Sequence, residues 1–131
     1  MQKNYLDQIR ILSKEVGELL KFKDLLIDAL NSSSEGIALL DAEGKYIWLN
    51  KVHAEMFGYS QEELIGVSWK ILYIKEDLAF FYENAFPKLE ETGHWSGKAE
   101  GRHKDGVTVV KEKVYLTSLK DGGLICTCIK R

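Results

Sequence analysis

Phe57-Gly58-Tyr59-Ser60-Gln61-Glu62-Glu63-Leu64-Ile65-Gly66 packs two helix stops around one helix start. Gly58 and Gly66 can take the left-handed conformation that closes a helix. Ser60 is an N-cap with Glu63 three positions on, the reciprocal capping pair. Just upstream, Asn50 stands where its side chain can cap a first turn over Lys51 to Phe57. A cluster of very short helices is therefore expected here.

Working outward toward the N-terminus, Gly36-Ile37-Ala38-Leu39-Leu40 and Lys45-Tyr46-Ile47-Trp48-Leu49 flank Asp41-Ala42-Glu43-Gly44. Two β-rich runs about a short glycine-containing loop read as a hairpin. In the other direction, Leu78, Phe81, Tyr82, Ala85, Phe86 and Leu89 share one face of a helix over Asp77 to Thr92. Pro87 must kink or break that helix, because it lacks an N–H and crowds the preceding turn. The last third is strand material: Trp95 to His103, Val107 to Leu119 and Leu124 to Lys130, joined by Lys104-Asp105-Gly106 and Asp121-Gly122-Gly123 turns. The order is α+β with an antiparallel sheet.

Residues 1–31 obey a different grammar. Ile9, Leu12, Val16, Leu19, Lys23, Leu26 and Leu30 recur at alternating spacings of three and four, a heptad seam with one polar interruption at Lys23. Lys3, Arg10, Lys14 and Lys21 against Asp7, Glu15, Glu18, Asp24 and Asp28 form a solvated flank. A helix over about 3 to 30 would be about 40 Å long, longer than a small domain covers. Pairing of this helix across two chains is the favoured expectation; docking of Leu20, Leu25, Leu26 and Leu30 on the chain's own sheet is the alternative. Asn31-Ser32-Ser33-Ser34 ends the helix, which sets the expected boundary between residues 1–31 and a domain over 32–131.

At 131 residues the chain is about one domain by the prior of ~150 residues each. Its 45% hydrophobic content supports a packed core without staples. The net charge of −2, without a basic stripe, argues against nucleic-acid binding. No apolar run approaches the ~18 to 20 residues of a membrane span, and no signal-peptide core is visible, so a soluble, cytoplasmic chain is expected. Cys126 and Cys128, two apart in a strand, sit about 6.5 to 7 Å apart on one face, at or beyond disulfide reach, and lack zinc-ligand spacing with His53, His94 or His103. His94 and His103 are expected to face solvent, and His53 the interior or the surface.

Leu49-Asn50, the 57–66 segment, Gly93-His94-Trp95-Ser96-Gly97 and Arg102-His103-Lys104-Asp105-Gly106 in this order resemble the PAS (Per-Arnt-Sim) family over about residues 31 to 130. The stretch Trp69 to Gly123 is most similar to PAS modules of microbial sensor histidine kinases. The resemblance implies a five-stranded antiparallel sheet in order 2-1-5-4-3, with short helices enclosing a small cavity. It implies sensing or dimerisation within a two-component system rather than catalysis. It also implies that the heptad helix joins neighbouring domains and a partner protomer, a homodimer with a kinase or other effector elsewhere. The family's frequent closing Asp-Ile-Thr is replaced by Cys128-Ile129-Lys130, which leaves output through the N-terminal helix and output through an effector beyond Arg131 both open.

On the same resemblance, the position of the photochemical flavin cysteine holds Trp69, and the flavin-binding Asn and Gln positions hold Gly101 and Cys126, which argues against adduct photochemistry. No resident cofactor is the expectation. Non-covalent FAD is the alternative, resting on Trp69 and Trp95-Ser96-Gly97. Haem is disfavoured because Asp77 to Thr92 contains no histidine. The cavity is expected to be lined by Ile37, Leu39, Ile47, Met56, Phe57, Trp69, Leu72, Phe81, Tyr82, Phe86, Trp95 and Ile125, suiting an apolar or aromatic small molecule. Complete filling by these large rings is the slightly favoured competitor. No phosphate loop, nucleophile elbow or metalloprotease motif supports an enzyme. The expected function is a sensory module that responds to a small ligand or redox state and dimerises through its N-terminal helix; the alternative is a constitutive dimerisation scaffold without a ligand.

Overall fold

The computed structural model describes residues 2–131, the side chains of residues 2 and 3 excepted. Two compact units divide it, residues 1–32 and 33–131. The first is a single helix, α1 (Gln2–Asn31), as its heptad periodicity requires. Along it Ile9, Leu12, Val16, Leu19 and Leu26 are all exposed. The side chain of Lys3, counted with the basic flank, lies outside the described residues.

The second unit runs β1 (Gly36–Leu40), β2 (Tyr46–Leu49), α2 (Lys51–Met56), α3 (Gln61–Leu64), a 3-10 turn (Trp69–Leu72), α4 (Lys75–Phe80), a π-helical turn (Phe81–Ala85), α5 (Phe86–Thr92), β3 (His94–Arg102), β4 (Val109–Ser118) and β5 (Leu124–Lys130). The strands form one antiparallel sheet in the order β2-β1-β5-β4-β3. The helices cover one face of it, and Ala38, Leu40, Leu49, Phe57, Leu72, Val114 and Cys128 make the core between them.

The expected helix around Pro87 is continuous in path but not in type. Phe86 N–H reaches back five residues to the Phe81 carbonyl, so one turn is widened. Pro87 follows at the start of α5. A proline ring crowds the carbonyl four residues back and leaves it without a donor, and a π turn is one of the recognised ways of absorbing that defect. The kink expected from sequence takes this form.

Ser60 caps α3 as a full capping box with Glu63. Gly58, at φ +79°, lies against the His103 ring, whose edge would be 2.3 Å from a Cβ placed there. That contact half-buries His103, which the sequence reading placed in solvent; its Nδ1 accepts the Asp105 backbone N–H at 3.1 Å. His94 is exposed as expected.

Asn50 is fully buried and ties the two sides of the fold together. Its Oδ1 accepts from the backbone N–H of Ile37 at 2.9 Å and of His53 at 3.0 Å, while its Nδ2 donates to the Glu35 carbonyl at 2.9 Å. Truncation to alanine orphans these buried backbone groups, each costing about 1 to 3 kcal/mol. Asn50→Ala is expected to lower the unfolding free energy by at least about 3 kcal/mol in urea titration, whereas Asn50→Asp, which keeps the acceptor, is expected to cost less. Equal losses would show that the carboxamide oxygen is not the anchor.

Candidate functional site

Between the sheet and the helices lies a pocket of about 40 Å³, open on one side past Trp69, Phe86 and Leu124. Leu40 and Tyr46 come from the hairpin, His53 from α2, Trp69 and Tyr73 from the segment after α3, Phe81 and Phe86 from the π turn and α5, and Val114, Leu116, Leu124 and Cys126 from β4 and β5. Ring contacts hold the helical wall: Tyr73–Phe81 at 4.9 Å and Trp69–Phe81 at 5.4 Å are edge-to-face, and Trp69–Phe86 at 5.8 Å is tilted, all between centroids. Contacts of this kind contribute about 0.5 to 1.5 kcal/mol each beyond their burial, so the wall is stiff. At ~10 to 15 Å³ of such volume per water, the space holds about three water molecules. Neither complete filling nor a large pocket describes it.

Of the residues expected to line a cavity, the structure brings Trp69, Phe81 and Phe86 together on its wall. Phe57 and Leu72 are buried in the core rather than on this wall. Met56 is half-buried with its sulfur 3.7 Å from Cys128 Sγ, and Trp95 is half-buried against Phe80 and Phe81. Tyr82 is 48% exposed and points outward. Ile37, Leu39 and Ile125 belong to the opposite face of the sheet, because in β1 and β5 the buried positions are Gly36, Ala38, Leu40, Cys126 and Cys128. Strand side chains alternate, so choosing the wrong phase displaces every residue together. Ile47 falls beside the irregularity in the β1–β2 register and is 53% exposed.

Sequence reading left His53 between the cavity and the surface and missed the rest of the polar side of the cavity. The Tyr46 hydroxyl lies 2.9 Å from His53 Nε2, and His53 Nδ1 lies 3.3 Å from Cys128 Sγ. The Tyr73 hydroxyl donates to Glu112 Oε1 at 3.2 Å. Glu112 is 1% exposed, and its second carboxyl oxygen has no hydrogen-bond partner. One signal was available: Glu112 occupies the same strand phase as Val110, Val114 and Leu116, so its burial follows from the alternation.

A family model of the PAS fold matches residues 25–130. This chain belongs to the PAS family. Its structure is similar to a PAS domain from Colwellia psychrerythraea, with a TM-score of 0.74 and 22% identity over 86% of this chain and 97% of that one. It is also similar to a PAS domain from a two-component sensor histidine kinase, with a TM-score of 0.72 and 18% identity over 87% of this chain and 99% of that one. A segment of 51 residues, 39% of this chain, is 41% identical to the probable diguanylate cyclase DgcE of Escherichia coli strain K12, of whose length it spans 5%.

The PAS cavity tests the cofactors that the family can carry. Pockets for ligands of drug size measure roughly 300 to 1,000 Å³, against about 40 Å³ here. An isoalloxazine or a porphyrin is larger than this pocket. The histidine on the wall already has both ring nitrogens engaged, by Tyr46 and by Cys128. The described residues contain no cluster of metal-ligating side chains, and no described helix is long and apolar enough to cross a membrane. Both cysteines are free and buried. Hydrogen bonding with Cys126 and burial push the Cys128 thiol up, away from the reactive thiolate.

Burial acts in opposite directions on the two titrating groups of the PAS core. It raises Glu112 from 4.5 to about 7, partly restrained by the Tyr73 hydrogen bond and the Arg131 charge. It lowers His53 from 6.5 to about 4. The Glu112 carboxyl therefore favours the folded state less as pH rises from 4.5 through 7. His53 contributes stability above 6.5 that is lost as pH falls through 4. Between about 4.5 and 6.5 the two slopes oppose and nearly cancel. Glu112→Gln removes one of them, so on acidification from pH 6.5 to 4.5 the variant is expected to lose about 2 to 3 kcal/mol relative to the wild type. Denaturant titrations across that range decide the matter; parallel pH profiles for both proteins would show that Glu112 does not carry the proton.

Proposed function

We propose that this PAS domain is the sensory module of a signalling protein of the sensor histidine kinase type, in which occupancy of the cavity by a small molecule is passed on through α1. The observation that carries the reading is a small pocket with one aromatic wall and one hydrogen-bonded wall. A core with no binding role has little reason to keep Tyr46, His53, Tyr73 and Glu112 inside it, since buried polar groups cost free energy wherever their bonding is incomplete. Similarity to a PAS domain from a sensor histidine kinase supports the kinase class of effector, and the shorter likeness to a diguanylate cyclase favours a second class of output. The protonated state of the Cys128 thiol favours ligand occupancy over thiol oxidation as the stimulus.

Dimerisation is the second element of the proposal. Leu12 and Leu19 are 59% and 66% exposed, and Leu6, Leu20, Phe22 and Leu25 widen the apolar band. A helix with so much uncovered hydrocarbon calls for a partner, and the heptad spacing matches a second copy of itself. A ligand that binds two arrangements of the dimer unequally would shift their populations by its differential affinity. The competing scaffold reading, in which the chain only dimerises, draws its support from how small the cavity is.

The test is sedimentation of the wild type against Leu19→Glu/Leu26→Glu. The wild type is expected to be a dimer and the variant a monomer with unchanged β-sheet circular dichroism, since each buried Leu is worth about 1.5 to 3 kcal/mol. An unchanged dimer would sink the coiled-coil assignment.

A further inference from the structure

The hydrogen atoms of the polar wall can be placed by counting donors. Met56 Sδ can only accept, and the Cys128 thiol, with its single proton, donates to it at 3.7 Å. With that proton turned to Met56, Cys128 Sγ is free to accept from His53, and we assign the ring proton to Nδ1, 3.3 Å away. A neutral imidazole has only one such proton, and burial keeps His53 neutral. Nε2 is therefore bare and accepts the Tyr46 O–H at 2.9 Å. Tyr46 has thereby spent its only donor and keeps oxygen lone pairs. Tyr73 has spent its donor in the same way, on Glu112 at 3.2 Å.

Trp69 does not reverse this polarity. A Cβ on Gly44 would lie 2.9 Å from Trp69 Nε1, which places the indole N–H edge against the β1–β2 loop. Among the described residues, no Asp, Glu, Lys or Arg lines the cavity, Glu112 standing behind Tyr73, and the Cys126 thiol there is hydrogen-bonded to Cys128. An ion entering the space would lose its hydration without gaining a countercharge. A molecule that can only accept hydrogen bonds would leave the phenol oxygens unpartnered.

Taking the cavity to be the sensory site, as argued above, we propose that it selects a compact, uncharged molecule that donates a hydrogen bond to the Tyr46 hydroxyl oxygen and lays an apolar body against Trp69, Phe81 and Phe86. Space for about three waters limits the part of the ligand inside the pocket to about three or four heavy atoms. Short-chain alcohols belong to this class; ethers and ketones of the same size do not.

The experiment uses two isomers, 1-propanol and methoxyethane, which differ in whether the oxygen carries a proton. Each is titrated into the full 131-residue chain while the side-chain NMR signals of Trp69, Phe81 and Leu116 are followed. Saturable shifts with 1-propanol, at least about tenfold weaker binding of the ether, and loss of that preference in Tyr46→Phe are expected; one hydrogen bond of about 1.4 kcal/mol is a tenfold difference. Equal or tighter binding of the ether overturns the donor assignment and leaves the cavity as the binding site. Absence of shifts with both isomers overturns the cavity reading along with it. Should Tyr46→Phe fail to fold, the comparison of isomers on the wild type decides alone.

Discussion

One buried carboxamide fixes the geometry on which the rest of the domain relies. Asn50 ends β2, starts α2 and holds the entrance of β1, through its contacts with the His53, Ile37 and Glu35 backbones. Buried backbone groups must find partners, and at this junction no regular ladder can supply them, because strand passes to helix within a residue. The position of α2 then follows, and with it the position of His53. Gly36 makes the packing tight, since a Cβ there would come within 2.7 Å of Cys128 Sγ and 3.0 Å of the His53 Cα. The polar wall of the cavity is thus set by the same junction that starts the first short helix.

That junction also explains how much could be read beforehand. Caps and stops are local, so the short helices, the hairpin and the role of Asn50 were legible from neighbouring residues. The sheet order needed the family resemblance, because pairing of β1 with β5 joins residues some ninety positions apart, as with Ala38 and Cys126. The lining of the cavity was legible only in part. In β1, Ile37 and Leu39 alternate with Ala38 and Leu40, so both phases are apolar and hydrophobicity cannot choose between them. In β4 only one phase is apolar apart from Glu112, and there the pattern decides. His53 was legible only as facing either the cavity or the surface: a histidine in a six-residue helix has no periodic context, and its partners Tyr46 and Cys128 lie in two different strands.

Size and polarity together constrain the biology more than either alone. A small dry hole in an aromatic core would be an ordinary packing defect, and a large pocket would fit many ligands. Here the space is small and its hydrogen-bonding surface is one-sided, so on the proposed reading discrimination rests on complementarity at a single oxygen. Sites built around a specific hydrogen bond reject analogues that lack it more strongly than apolar pockets reject a missing methylene. PAS domains are sensory rather than catalytic modules, and selectivity of this kind suits sensing.

The widened turn at Phe81–Ala85 gives the helical wall a property of its own. In an α-helix, positions five apart are rotated by about 140° from one another, so Phe81 and Phe86 would diverge. A π turn, bonded from residue i to i+5, takes more residues per revolution than an α turn, which brings both rings onto the cavity. The turn therefore works as a phase shift within the segment 75–92: tightening it to α geometry would leave α4 in place and swing the Phe86 ring out of line with Phe81. The aromatic face of the wall is thus set by the difference between two helical pitches.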